Sequence, residues 1–75
     1  MKEIKRLTAV IEKEGNAYVS LCPELDIASQ GGTIEEAKQN LAEAVTLFFE
    51  TASPSEIRGR LPGEIYVTPF EVAVG

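Results

Sequence analysis

Cys22 is the only cysteine in the 75 residues, and the chain contains no histidine. A thiol or hydroxyl nucleophile needs a base to activate it, so no Ser-His or Cys-His pair can be assembled within one chain. The missing imidazole also removes the commonest nitrogen ligand for metals. One cysteine excludes a CxxC pair, a multi-thiolate zinc site and an intrachain disulfide. Cys22 precedes Pro23 at the end of an apolar run and reads as a small buried or half-buried thiol. Carboxylates are the remaining catalytic candidates. Glu12 and Glu14 share a strand face beside a turn, where side chains are solvated, and Glu24 and Asp26 fall in a turn that their residue types explain. Gly31-Gly32-Thr33 precedes a helix, and helix N-termini bind anions. Here Glu35 and Glu36 already supply negative charge, and the GxxxxGK[ST] pattern is missing. Arg58 and Arg60 read as a solvated loop. The aromatic residues Tyr18, Phe48, Phe49, Tyr66 and Phe70 lack the basic flanks of an RNA-stacking surface. The expectation is a non-enzyme with no cofactor and no metal.

The elements that position these residues follow from periodicity. Ile4 to Glu14 predicts a strand with Leu7, Ala9 and Ile11 on one face. Glu14-Gly15-Asn16 predicts a tight turn. Ala17 to Cys22 predicts a second, antiparallel strand, with Val19 and Leu21 on one face and Tyr18, Ser20 and Cys22 on the other. Pro23 ends the pairing because it lacks an N–H and restricts the residue before it. Ile27 to Gln30 predicts a short third strand, and Gly31-Gly32 breaks the pattern. Thr33-Ile34-Glu35-Glu36 is a capping box, with Thr33 as N-cap and Glu36 reaching back. Ile34, Ala37, Leu41, Ala44, Val45 and Phe48 then recur at helical spacing as one stripe, with Leu47 roughly opposite its centre. Ser53-Pro54-Ser55 stops this helix, and Glu56 to Gly63 reads as a connecting loop. Glu64 to Val74 predicts a last strand, with Tyr66, Phe70, Val72 and Val74 sharing a face and Pro69 marking an edge or a bulge. The sum is an α+β domain of order β-β-β-α-β: two layers, one helix on a small, mostly antiparallel sheet.

Twelve acidic and seven basic residues give a formal net charge of -5. Such a chain repels phosphate backbones, so direct nucleic-acid binding is not expected. Its field favours a basic partner instead. No secretory signal and no membrane-spanning stretch is seen, so a cytoplasmic location is expected. A chain this short forms one domain over residues 1–75 and buries only about 60% of the surface it exposes when unfolded. A second copy would add to so small a core, so a homo-oligomer, dimer or tetramer, is expected.

The run Tyr18-Val19-Ser20-Leu21-Cys22-Pro23-Glu24-Leu25-Asp26-Ile27-Ala28-Ser29-Gln30-Gly31-Gly32-Thr33-Ile34-Glu35-Glu36-Ala37 resembles the HicB-like antitoxin family. Asn40-Leu41-Ala42-Glu43-Ala44-Val45-Thr46-Leu47-Phe48-Phe49-Glu50 is similar to the helix of the same family. The resemblance extends from about residue 4 to the final predicted strand. It departs in one turn, where many members carry Pro-Gly-Cys and this chain has Asp26-Ile27-Ala28. The resemblance implies a partial ribonuclease-H-like fold without the metal-binding acidic set. It also implies a function: binding and covering a small HicA-like toxin that resembles a double-stranded-RNA-binding domain and cleaves mRNA with a histidine. Longer members append a DNA-binding module; none is expected here.

On this reading the partner-binding candidates are Cys22, Pro23, Leu25, Asp26 and Ile27 in the turn, Leu47 on the helix, and Tyr66 and Phe70 in the last strand. The alternatives are a stand-alone oligomeric adaptor, an RNA-associated binding module, and an enzyme that retains ribonuclease-H chemistry.

Overall fold

A computed structural model describes residues 4–61 and 65–75. Three strands, β1 (Val10–Glu14), β2 (Ala17–Cys22) and β3 (Ile27–Gly31), form an antiparallel sheet in the order β1-β2-β3. Two helices follow, α1 (Ile34–Thr51) and α2 (Pro54–Arg60). The domain is α+β, with α1 laid on one face of the sheet, as expected.

The β1–β2 hairpin closes between Glu14 and Ala17, and Gly15 takes a φ of 59°. A left-handed residue at the first turn position is what a two-residue hairpin loop demands, and glycine adopts it without strain. The ladder begins only at Val10, not at Ile4, and the reason lies opposite it. Val10 pairs with Leu21, so Thr8 falls across from Pro23, which has no N–H to offer. The Thr8 N–H and hydroxyl turn instead to the Glu24 carboxylate, at 3.0 and 2.8 Å.

The register decides which sheet face is covered. Ile11, Lys13, Tyr18, Ser20, Cys22, Ile27, Ser29 and Gly31 share one side. That side faces α1, because Ser20 and Cys22 on it are buried and the Ser20 hydroxyl donates to the Ala37 carbonyl of α1 at 2.9 Å. Small residues line this contact. Ala37 is fully buried, and a Cβ on Gly31 would stand 2.6 Å from the Ala37 backbone nitrogen. Glycine at position 31 therefore lets α1 approach β3 closely; it does more than break a pattern. α1 packs chiefly against β3, less on β2 and least on β1.

The Thr33 cap forms as predicted. Its hydroxyl accepts the Glu36 N–H at 3.0 Å, and the Glu36 carboxylate accepts the Gly32 N–H at 2.8 Å. Asn40 donates to the Gln30 carbonyl at 2.7 Å, fixing α1 to the end of β3. From the helical stripe, Ala37 and Leu41 are buried, Ala44, Val45 and Phe48 are half-buried, and Ile34 stays half-exposed in the first turn. The core is small: Cys22, Leu25 and Leu41, with Leu7, Ile27, Val45, Phe48, Phe49 and Leu61 packed around them.

Two expectations are corrected downstream. Residues 54–60 are a helix, not a loop. Ser53 is its N-cap, accepting the Glu56 N–H at 3.2 Å, and Pro54 occupies the first helical position, where its missing N–H costs nothing. The last strand, predicted over Glu64 to Val74, is not formed: residues 65–75 pair with no strand, and Glu64 lies outside the described residues. β-forming composition makes a strand only where another strand supplies the ladder, and no strand among the described residues does so here.

Candidate interaction surface

The turn between β2 and β3 is held from within. The Leu25 N–H donates to the Cys22 carbonyl at 3.2 Å, and Asp26 takes a φ of 55°, a left-handed geometry that aspartate tolerates better than most residues. The Cys22 thiol donates to the Glu24 carboxylate at 3.5 Å. Burial pushes the Cys22 thiol above its ordinary range, and the adjacent Glu24 charge adds to this. It is thus a neutral, inert thiol. At Glu24 burial also works to raise the carboxyl. Hydrogen bonds from the Thr8 hydroxyl, from its own backbone, from the Thr8 N–H and from the thiol outweigh it, and the pKa falls below the usual carboxylate range.

Arg60 closes the turn from the other side. Its guanidinium donates to the Leu25 carbonyl at 2.6 Å and lies 5.6 Å from the centre of the Phe48 ring. The arginine read as a solvated loop residue is therefore a clamp between α2, the turn and α1. Glu24, read as part of a turn, is likewise a structural clamp. The signal for both lies in tertiary contacts 16 and 35 residues apart, which no local pattern carries.

The predicted partner-binding residues divide accordingly. Cys22 and Leu25 are each only 1% exposed and belong to the core, so they present no surface to a partner. Pro23 and Ile27 are half-buried, and Ile27 packs on the core. Asp26 is exposed. Leu47 is 59% exposed on the outer side of α1, and Tyr66 and Phe70 are 79% and 85% exposed. Tyr66 lies beside the turn, where it lines one cleft with Glu24, Leu61 and Leu7, whereas Leu47 and Phe70 are not part of that cleft.

Residue types and register define a different surface. The sheet face turned away from α1 carries Val10, Glu12 and Glu14 from β1, Ala17, Val19 and Leu21 from β2, and Ala28 and Gln30 from β3. It combines five apolar side chains with two carboxylates and has no cation. Glu12, Glu14, Leu21 and Ala28 are exposed. A second surface is the groove between the N-terminal segment and the second half of α1, lined by Leu7, Val45, Thr46, Phe49, Glu50 and Ile57, with the Lys5 ammonium over the Phe49 ring, 5.5 Å from its centre. It exists because α1 sits over β3 and leaves the β1 side of the sheet thinly covered.

Among the described residues, no cluster of His, Cys, Asp or Glu is arranged to hold a metal, and no helix is long and apolar enough to cross a membrane. The geometry defines a small two-layer α+β scaffold with an acidic, apolar face left open. A UPF0150 protein of Helicobacter pylori (strain J99) is 34% identical over 68 residues, covering 89% of this chain and 94% of that protein. Two UPF0150 proteins of Synechocystis sp. are 45% and 44% identical over 60 and 52 residues, covering 82% and 66% of their lengths. The chain belongs to the UPF0150 family of small proteins. No protein-family model matches it, and no solved structure matches it significantly.

Proposed function

We propose that this chain is an antitoxin-type binding protein that works by covering a small, basic, RNA-cleaving toxin. The observation that carries this reading is the open sheet face, where Val10, Val19, Leu21 and Ala28 lie beside Glu12 and Glu14 on a molecule of net charge -5. Desolvated apolar groups give an interface its affinity, and a field of one sign speeds the approach of an oppositely charged partner and fixes its orientation. A toxin built to grip RNA is positively charged, so the surface that binds phosphate is the surface an acidic face can occlude. The resemblance of Tyr18–Ala37 to HicB-like antitoxins supports the same reading. Nothing in the role requires chemistry from this chain: blocking access to the toxin's histidine is sufficient.

Co-expression tests it. If a small basic protein is encoded beside it, the chain produced with that protein is expected to restore growth and to elute with it as one complex. Leu21→Arg on the open face is expected to abolish both effects while leaving the fold intact. A toxic neighbour that is not neutralised, or neutralisation that survives Leu21→Arg, would contradict the proposal.

A stand-alone adaptor is the second reading. Residues 65–75, exposed throughout and rich in valine and aromatics, favour it. It differs from the first reading in predicting no toxic neighbour.

A further inference from the structure

Residues 65–75 contain Phe70 at 85%, Val72 at 71% and Val74 at 89% exposure. Apolar side chains at every second position are the pattern of a strand with one buried face, yet nothing in the same copy covers that face. Ile65 and Tyr66 flank Lys5, Arg6 and Leu7. Beyond them the chain leaves the body of the domain. The radius of gyration is 14.7 Å, against roughly 11 Å for a compact fold of this length.

A complementary vacancy lies elsewhere on the molecule. β1 is an edge strand with its outer backbone groups unmatched in the sheet. Beside it lies the groove whose apolar lining is Leu7, Val45, Phe49 and Ile57, with Lys5, Thr46 and Glu50 as its polar members. The other edge, β3, is less accessible, because α1 packs on it and Asn40 already occupies the Gln30 carbonyl. We infer that residues 67–75 of one copy add as a strand to the β1 edge of a second copy, with Phe70, Val72 and Val74 filling that copy's groove, and that the exchange is reciprocal.

Further considerations fit this occupant. Pairing through the backbone of Phe70 and Val72 puts Pro69 on the outer side, where its missing N–H breaks no ladder. Lys5 and Arg6 precede β1 and Lys13 lies within it beside Glu12 and Glu14, so the one acid of residues 67–75, Glu71, finds cations along this flank. A buried phenylalanine contributes about 150–250 Å². With the valines, the groove surface and the two-fold repeat included, the area is on the order of 1,500 Å², within the range of a stable interface. The open sheet face stays free in such a dimer, so the inference does not rest on the toxin reading and can fail or hold independently of it.

Sedimentation equilibrium of the full chain at micromolar concentration, combined with cross-linking, tests it. The wild type is expected at twice the 8.1 kDa chain mass. The Phe70→Asp/Val72→Asp variant is expected at the chain mass, with the helical far-ultraviolet circular dichroism signal retained and only the strand contribution of residues 67–75 lost, since both positions are exposed within one copy. Mixing a Thr46→Cys variant with a Val72→Cys variant under oxidation is expected to give a disulfide-linked pair joining one chain of each. A monomeric wild type, a dimer that survives the double substitution, or no mixed cross-link would overturn the inference.

Discussion

At Glu24 three hydrogen bonds from Thr8 and Cys22 converge on one half-buried carboxylate and tie the N-terminal segment to the β2–β3 turn. Its pKa is lowered on folding, because those bonds favour the charged form by more than burial opposes it. The linkage sign follows: the stabilisation is fully present above the unfolded value of about 4.3 and is lost as pH falls through the lower folded value. Urea unfolding at pH 7 and pH 3 is expected to show Glu24→Gln less stable than wild type by about 1 kcal/mol at pH 7, with the difference shrinking at pH 3. An undiminished difference at pH 3 would refute the clamp. Cys22 has the opposite shift, upward from burial. Its reaction with a thiol reagent at neutral pH is expected to be slower in the native protein than in urea by on the order of 100-fold, read from the absorbance of the released chromophore. Comparable rates would place the thiol at the surface.

The elements with a local cause were readable in the sequence. Alternation gave β2, the Gly-Asn turn gave the hairpin, and the Thr33–Glu36 box gave the start of α1. The α2 helix was missed although Ser53-Pro54-Ser55-Glu56 carries its own start signal: a serine cap, proline at the first position and glutamate at the third. Ser53→Ala is expected to cost about 1 kcal/mol and to loosen the Arg60 clamp, seen as a lower melting temperature. Gly31 shows the opposite limit. Its need for glycine comes from α1, whose backbone would lie 2.6 Å from a Cβ, and no neighbour in sequence announces that. Gly31→Ala is expected to destabilise by about 1–3 kcal/mol in chemical denaturation. Of the expected interaction residues, Asp26, Leu47, Tyr66 and Phe70 are exposed, but Cys22 and Leu25 lie in the core. Period two in β2 fixed which side chains share a face without fixing which face is covered. The more apolar pair, Val19 and Leu21, turned out to face away from the helix.

On the scale of the whole molecule, an off-centre helix leaves the sheet with one open face and one open flank. The proposed division of labour follows from that asymmetry: the acidic open face serves a basic partner, and the flank beside β1 serves a second copy. Steering by Glu12 and Glu14 predicts an association rate that falls as salt is raised, since a field extending about 10 Å at 0.1 M is screened at higher ionic strength. Isothermal titration of the purified chain with a small basic toxin of the proposed class, comparing wild type with Glu12→Lys/Glu14→Lys, tests the occlusion of a basic toxin most directly. Tight binding by wild type, weakened by salt and lost in the double variant, is the predicted result; no binding by wild type, or equal affinity for both proteins, would contradict it.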